Sequence, residues 1–235
     1  MTLLLSDLNP QQLEAITLPH QSVLILAGAG SGKTRVLTSR IAYLIQSGQV
    51  SPHGILAVTF TNKAAKEMLT RITAMLPINT RGMWIGTFHG LCHRMLRTHY
   101  QDAGLLQTFQ ILDSADQLGL IKRILKSLSA DEKKFPPRQV QWFINHAKEA
   151  GLRAAYVEAD DAFSRRMLEF YQAYEQQCNK EGVVDFSELL LRSYELLSRN
   201  EILCRHYRER FSHILVDEFQ DTNRLQYQWL KLLAG

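Results

Sequence analysis

The feature that most constrains the fold is a glycine-rich turn between an apolar run and a helical segment near the N-terminus. The run from Val23 to Ala27 is continuously apolar, which predicts a buried strand of a parallel sheet. The periodicity from Lys33 to Gln46 predicts an amphipathic helix, for which Gly48 is a natural stop. A strand, a glycine-rich turn and a helix in this order predict a phosphate-binding loop at the edge of an α/β sheet.

The chemistry of this turn supports binding of a nucleoside triphosphate. Its glycines allow successive backbone N–H groups to point at phosphate oxygens, and the helix dipole adds to the attraction. Lys33 is placed to reach the β- and γ-phosphates of ATP, and the Thr34 hydroxyl to ligate Mg²⁺. The residues of the candidate loop are Ala27, Gly28, Ala29, Gly30, Ser31, Gly32, Lys33 and Thr34.

Further strands and helices alternate along the N-terminal part of the chain. Apolar runs predict strands at Ile55 to Thr59 and Met83 to Thr87, and helical periodicity follows each of them, from Ala64 to Met75 and from Gly90. A last apolar run, Ile214 to Val216, lies close to the C-terminus. This alternation predicts an α/β fold with a doubly wound parallel sheet.

The middle of the chain, from Ser114 to Arg210, shows helical periodicity and almost no strand pattern. Asp113 or Ser114 can cap one helix, Pro136 and Pro137 open another that stops at Gly151, and Asp185 with Glu188 resembles a capping box. Because the strand pattern resumes after this region, we expect an all-helical subdomain inserted into the α/β domain.

An acidic pair at the end of the last strand predicts the second half of the nucleotide site. Asp217 and Glu218 follow Ile214 to Val216, and ligands of parallel sheets bind at the carboxyl ends of the strands. Asp217 is predicted to hold Mg²⁺, and Glu218 to activate the attacking water. Two adjacent acids can also be a solvated turn, and the phosphate loop favours the functional interpretation.

Composition and charge exclude some classes of protein. No apolar run approaches the roughly 20 residues of a membrane span, so we expect a cytoplasmic protein with no membrane partner. The three cysteines match neither a zinc spacing nor a disulfide framework. Residues 1–95 carry eight Lys and Arg against three Asp and Glu, which makes a phosphate-backbone partner plausible there.

Several segments resemble superfamily 1A DNA helicases of the UvrD/Rep/PcrA group, most of all its UvrD branch. The segment from Asp217 to Asn223 is similar to the group's acidic motif, and the segment from Leu8 to Gln12 to the motif upstream of its phosphate loop. Thr59 to Ala65 and Gly86 to His89 resemble the first two DNA motifs. Asp185-Phe186 resembles a short motif near the end of the helical subdomain, and the similarity covers essentially the whole chain.

The resemblance implies a role for individual residues. Gln12 is expected to read the adenine edge, Arg35 to join the phosphate loop in holding ATP, and Gln220 to act in the catalytic set with Lys33, Asp217 and Glu218. Aromatic rings and small polar groups suit single-stranded DNA. The expected DNA contacts are Phe60, Thr61, Asn62, Thr87, Phe88, His89 and Phe186; the aromatic rings can equally be core residues, and His89 a structural histidine.

The resemblance also implies an architecture and an activity. We expect an incomplete RecA-like P-loop NTPase domain (1A) at residues 1–95 and 205–235, and the helical subdomain (1B) at residues 96–204. The implied activity is that of an ATP-dependent 3′–5′ DNA helicase of DNA repair that acts on single strands and single-strand/duplex junctions. Mismatch or excision repair proteins are its implied partners. Because the group's members continue into further motifs and a second motor domain, these 235 residues are not expected to unwind duplex alone.

Two other functions remain open at this point. A nucleotide kinase or a transport ATPase uses the same kind of loop, but the extension from Asp217 to Asn223 does not support that class. A non-catalytic module that binds nucleotide or single-stranded DNA without turnover is the alternative from a different class. An ATP turnover assay beside a binding assay separates this module from a helicase motor.

Overall fold

The computed structural model describes residues 8–28 and 30–235, and it divides into two compact units. The first unit comprises the described residues up to Leu91, with Ile202–Thr222 and Leu233–Gly235. The second comprises Cys92–Glu201 and Asn223–Leu232. The sequence-based division placed all of residues 205–235 in the α/β part, whereas Asn223–Leu232 groups with the second unit, and its other boundaries lie three to four residues from those of the structure.

The described residues form helices and strands in a mixed order. The helices are α1 (Pro10–Thr17), α2 (Lys33–Gln46), α3 (Asn62–Met75), α4 (Phe88–Thr98), α5 (Ser114–Ser127), α6 (Pro137–Glu149), α7 (Ala162–Glu181), α8 (Phe186–Arg199), α9 (Glu201–Arg210) and α10 (Arg224–Ala234). The strands are β1 (Ile55–Thr59), β2 (Trp84–Thr87), β3 (Gln110–Ile111), β4 (Val183–Val184) and β5 (His213–Val216). Among these described helices, none is long and apolar enough to cross a membrane.

The first unit is organised around a parallel sheet with the strand order β2-β1-β5. The central strand β1 is buried at all five positions, as its continuous apolar sequence predicts. Thr59 pairs with Thr87 of β2, and Val58 with Val216 of β5, so the carboxyl ends of the three strands lie at one edge. The predicted α/β fold with a parallel sheet is confirmed.

The prediction of a strand from Val23 to Ala27 is wrong. Residues 22–28 adopt no regular secondary structure, and Leu24 and Leu26 are 67% and 87% exposed. A strand requires a neighbour that satisfies its backbone N–H and C=O groups. Within the described residues, β5 pairs only with β1, and no strand pairs with this apolar run.

Local hydrogen bonds determine where the helices that follow β1 and β2 begin. The Thr61 hydroxyl accepts from the Ala64 N–H and caps α3, which begins at Asn62, two residues before the predicted start. The Thr87 hydroxyl accepts from the Gly90 N–H in the same way, and α4 begins before Gly90, at Phe88. Both helices therefore start directly at the carboxyl edge of the sheet.

The second unit has its own apolar core between the helices α5, α6 and α7. Its largest buried side chains include those of Phe170, Tyr171 and Tyr174, and Asp113 caps α5 as predicted. The unit is not all-helical, because β3 and β4 form a two-stranded parallel sheet. Strands of two residues are too short to produce a periodic pattern in the sequence. That this unit is an inserted subdomain stays a prediction.

Helix α10 shows why Asn223–Leu232 groups with the second unit. The indole of Trp229 is fully buried, and its Nε1–H donates to the Ser193 hydroxyl at 2.9 Å. Ser193 lies on α8, which belongs to the same unit. A large ring buried with its N–H satisfied provides substantial apolar contact at little polar cost.

We expect Ile41→Ala to lower the free energy of unfolding by about 2–5 kcal/mol, because the side chain is completely buried beside the sheet and its removal leaves a cavity. Ile202→Ala is the matched control, since Ile202 is 81% exposed in the same unit and its replacement should change the free energy by less than about 0.5 kcal/mol. Urea unfolding of both variants provides the measurement. Equal losses in the two would contradict the assignment of the core.

Candidate functional site

The predicted phosphate loop turns at two glycines with positive φ angles. Gly30 and Gly32 have φ angles of +75° and +89°, in the left-handed region where glycine carries no steric penalty. Ser31 folds the loop back, because its backbone N–H and its hydroxyl both donate to the Gly28 carbonyl, at 3.3 and 2.6 Å. Helix α2 begins at Lys33, with no side-chain cap from Gly32. Ala29 lies outside the described residues.

The loop lysine lies beside the acidic pair. The Lys33 ammonium donates to the Ala27 carbonyl at 3.2 Å and lies 3.8 Å from a Glu218 carboxylate oxygen. Both side chains are partly exposed, so this ion pair contributes little to stability. Its significance is geometric, because residues that are 185 positions apart in the sequence meet at one site.

The acidic pair leaves the sheet in an unusual backbone conformation. The Asp217 N–H donates to the Val58 carbonyl at 2.9 Å, which continues the β1–β5 ladder by one residue. Glu218 then adopts φ +49°, a left-handed conformation that is uncommon for a residue with a side chain. The Gln220 amide donates to the Glu218 carboxylate at 2.6 Å. The predicted catalytic glutamine is therefore in direct contact with the proposed base.

The environment of Asp217 disfavours its charge. Burial raises the pKa of this carboxyl, and the neighbouring Glu218 carboxylate raises it further. The Glu218 backbone N–H and the Lys33 ammonium act in the opposite direction and do not cancel the shift. A divalent cation beside Asp217 would favour the ionised form, which fits the donor chemistry of a Mg²⁺ ligand. Among the described residues, no group of three or more His, Cys, Asp or Glu side chains forms a metal cluster.

Gln12 lies against the phosphate loop. Its side-chain amide nitrogen donates to the Ser31 carbonyl at 3.1 Å, and its oxygen accepts from the Asn9 N–H at 3.1 Å. The second contact belongs to a capping box, in which the Asn9 side chain accepts from the Gln12 N–H. Gln12 thus belongs to the first turn of α1 and contacts the predicted loop, while its reading of adenine stays a prediction.

An open pocket of about 810 Å³ lies beside the loop in the first unit. Helix α3 supplies Arg71 to its wall, a residue that the sequence did not single out. No local pattern distinguishes Arg71, which also pairs with Glu67 one turn away, from an ordinary solvated arginine. The residues that line the pocket are Gly28, Gly30, Gly32, Lys33, Thr34, Arg35, Thr38, Ser39, Arg71, Ala74, Met75 and Glu218.

The predicted DNA contacts of the first unit lie at the carboxyl edge of the sheet. Phe60 is partly exposed and packs edge to face against Phe88, with ring centroids 5.6 Å apart. Phe88 is 2% exposed, so its ring supports Phe60 in this conformation. Asn62 is exposed, and burial lowers the pKa of His89. The cap residues Thr61 and Thr87 flank the two rings in sequence.

The predicted DNA contact of the second unit is Phe186. It is the first residue of α8, directly after the cap residue Asp185, and its side chain is 49% exposed. Exposure of a large ring at a helix start leaves area that can contact a base. Contact with DNA at any of these positions stays a prediction.

Comparison with known proteins reveals the family of the chain. The UvrD/REP helicase N-terminal domain matches residues 8–235. The chain belongs to this family. It is 54% identical to DNA helicase II of Escherichia coli K12 over 99% of its length, and 41% identical to the ATP-dependent DNA helicase PcrA of Staphylococcus epidermidis over its whole length. The resemblance to the UvrD/Rep/PcrA group is confirmed.

The chain of this UvrD/REP family member spans about a third of the length of these relatives. It covers 32% of the E. coli protein and 33% of DNA helicase II of Haemophilus influenzae, to which it is 54% identical. The residues of the loop, the acidic pair and the sheet edge described above all fall within the matched region.

Asp217→Asn is expected to stabilise the chain at neutral pH. Since the pKa of Asp217 is raised, the folded chain binds more protons than the unfolded chain between the ordinary carboxyl pKa of about 3.9 and the higher folded value. Stability is therefore lost as the pH rises through this window, and Asn avoids the loss. Its advantage should be present at pH 7 and vanish below about pH 3.5.

Urea unfolding midpoints of both chains at pH 7 and at low pH measure this advantage. Asp221→Asn is the control, because it removes the same charge from an exposed position of the same turn. An Asn variant at position 217 that is no more stable than the parent at pH 7 would contradict the assignment.

Proposed function

We propose that the chain is the ATP- and single-stranded-DNA-binding part of an ATP-dependent 3′–5′ DNA helicase. The observation that carries the proposal is the meeting of Lys33 and Glu218 across a distance of 3.8 Å, at the mouth of a glycine-rich loop. The family match and the two helicase relatives support it. The α/β unit would then be a RecA-like P-loop domain and the helical unit its inserted subdomain.

In this proposal the loop holds the phosphates of ATP. The backbone N–H groups near Gly30 and Gly32 and the start of α2 attract the phosphate oxygens, and Lys33 exchanges its contact with the Ala27 carbonyl for them. Gln12 and Arg35 flank the loop and would contact the rest of the nucleotide. Thr34 and Asp217 would hold Mg²⁺, which neutralises charge on the β- and γ-phosphates when it is bound.

Glu218 acts as the general base. Its carboxylate is partly exposed at the pocket wall and accepts a hydrogen bond from Gln220 at 2.6 Å. This bond limits the rotation of the carboxylate, which can then accept a proton from a water that attacks the γ-phosphate. The neighbouring Asp217 is buried whereas Glu218 is partly exposed, and we assign the two acids different tasks.

Single-stranded DNA is proposed to follow the carboxyl edge of the sheet. Phe60 offers a ring face for base stacking, and Thr61, Asn62, Thr87 and His89 offer small donors and acceptors for the backbone. The ring of Phe88 would act by supporting Phe60. Since the same edge carries Asp217 and Glu218, nucleotide-dependent movement of this edge would change the grip on DNA.

The activity of the complete protein goes beyond this chain. The chain spans about a third of its relatives, and an ATPase of this kind needs additional cations for the transition-state charge. We propose that the complete protein is a cytoplasmic helicase that acts on single strands and single-strand/duplex junctions in DNA repair, with mismatch or excision repair proteins as partners. These 235 residues alone would bind nucleotide weakly and leave duplex intact.

A second candidate is a module that binds nucleotide and single-stranded DNA without turnover. The pocket favours this function for the 235 residues alone. It is open, and three of its twelve lining residues, Lys33, Arg35 and Arg71, carry a positive charge that attracts phosphate. Single-turnover hydrolysis measured beside nucleotide affinity decides between the two. Hydrolysis above the rate in buffer supports the motor, and binding without it supports the module.

Glu218→Gln in the complete protein is expected to lower ATP hydrolysis by about 10²–10⁴-fold while ATP and Mg²⁺ still bind, because an amide keeps the shape of the base but cannot accept the proton. Asp217→Asn should weaken metal-dependent ATP binding as well as turnover, because it removes a charge that the ion needs. Nucleotide affinity and single-turnover hydrolysis of both variants are the measurements. Near-parental hydrolysis by Glu218→Gln would overturn the assignment of the base.

Phe60→Ala in the complete protein should weaken binding of single-stranded DNA by ~1–3 kcal/mol, the usual contribution of a stacking contact. His89→Ala should weaken it as well, because it removes a polar contact to the strand. Nucleotide affinity measured without DNA should stay near the parental value. Phe211→Leu is a matched control, because Phe211 is a buried aromatic of the same unit that packs against Trp84. Unchanged DNA affinity in both alanine variants would make these residues structural.

A further inference from the structure

A cluster of buried charges lies directly beside Phe186 in the second unit. Lys148 on α6 and Asp185 at the start of α8 are each 2% exposed, and their side chains are 2.6 Å apart. Glu188, one turn into α8, lies 2.9 Å from the same ammonium. Burial disfavours the charge on Lys148, but the two carboxylates outweigh it and raise the pKa of this lysine. Lys148 therefore keeps its charge in the folded protein although its side chain is buried.

The Asp185 carboxylate receives hydrogen bonds from four directions. One oxygen accepts from Lys148 at 2.6 Å, from the Tyr174 hydroxyl at 2.7 Å and from the Gln117 amide at 3.3 Å. The other oxygen accepts from the Glu188 N–H at 2.7 Å, which caps α8. The donors stand on α5, α6, α7 and α8, so one carboxylate joins four helices at the point where α8 begins.

A second set of contacts fixes the first turn of α8 through Glu188. Its carboxylate accepts from Arg153 at 2.8 Å and from Arg192 at 2.7 Å. Although burial raises the pKa of this carboxyl, the charges of Lys148, Arg153 and Arg192 outweigh the effect and lower it well below its ordinary value. The first turn of α8 therefore has little freedom to move relative to α6 and α7.

Stability alone is a poor reason for such a cluster. Buried ion pairs carry a desolvation cost that can equal their attraction, and an apolar replacement of similar volume is often neutral or stabilising. What the cluster provides is a defined position for one backbone segment. The next residue along that segment is Phe186, whose ring is 49% exposed.

We propose that Lys148 and Tyr174 are positioning residues for a base-stacking site at Phe186, which they hold in place through Asp185. The inference rests on the proposed function, because it takes single-stranded DNA as the ligand. Phe186 supplies the ring face, and neither Lys148 nor Tyr174 contacts the DNA. A ring held by a rigid helix start loses less conformational freedom when a base stacks on it.

Tyr174→Phe is the sharpest test, because it removes one hydrogen bond to Asp185 and keeps the ring that fills the core. Tyr171→Phe is the matched control. Tyr171 is fully buried on the same helix, and its hydroxyl donates to the Leu152 carbonyl at 3.0 Å instead of to Asp185. Both variants should lose similar stability in thermal unfolding. Only Tyr174→Phe should weaken binding of a fluorescent oligothymidylate strand.

The expected size of the effect is set by the ring itself. Phe186→Ala in the complete protein should weaken strand binding by about 5- to 150-fold, the range of a lost stacking contact. Tyr174→Phe and Lys148→Met should weaken it by about threefold or more without exceeding that loss, because both act through the ring. In the Phe186→Ala background, Tyr174→Phe should have no further effect on DNA affinity.

Each outcome has a definite meaning. Equal losses of DNA affinity in Tyr174→Phe and Tyr171→Phe, or additive losses in the double variant, would overturn the positioning role. Phe186→Ala with parental DNA affinity would overturn the stacking site while leaving the proposed function intact, provided that Phe60→Ala weakens binding. A complete protein that binds no single-stranded DNA would overturn the proposed function and the inference together.

Discussion

The hydrogen-bonded strand β1 decides where the candidate chemical groups of the first unit emerge. It is paired on both sides and buried along its whole length, so its register leaves little room for a shift. Through this register Thr59 lies opposite Thr87, and the ladder to β5 continues to Asp217. The segments with Phe60, Phe88 and Glu218 therefore begin at one edge of the sheet, where the proposed coupling between ATP and DNA requires them.

The candidate nucleotide site departs from ordinary backbone and charge preferences at the positions where chemistry is proposed. Glu218 has a left-handed backbone, which costs about 1–3 kcal/mol for a residue with a side chain. Asp217 is buried beside a second carboxylate, and its pKa is raised as a result. The stability of the sheet beneath compensates for these local costs. A cation bound at Asp217, as proposed, would offset the repulsion between the two neighbouring carboxylates.

The second unit combines an apolar core with buried charged side chains. Its apolar core already joins α5, α6 and α7, so folding does not require Lys148 and Asp185 to be buried there. Their pairing fixes the position of the start of α8, because hydrogen bonds depend on angle and distance whereas the hydrophobic effect has no direction. The two units thus present aromatic rings by different means. Phe60 rests on another ring, and Phe186 follows a carboxylate that is held by four donors.

Several features follow from the sequence by itself because their causes are local. The strand β1 and the helix α2 have the predicted bounds, and Asp113 and Asp185 cap the helices that they precede. Glycines at positions 30 and 32 are placed where the loop needs positive φ angles. The family was predicted from the resemblance of short motifs, among them the segments from Leu8 to Gln12 and from Asp217 to Asn223, and the family match confirms it.

Only the tertiary structure decided the features that depend on distant partners. Residues 23–27 have the composition of a buried strand, but a strand needs a neighbouring strand for its backbone hydrogen bonds. Within the described residues, no strand pairs with this segment. Phe60 and Phe88 are alike in sequence, and packing left one partly exposed and buried the other. Arg71 in the pocket wall and Lys148 beside Asp185 were not foreseen, because the partners of a charged side chain are chosen by the fold and leave no periodic pattern in the chain.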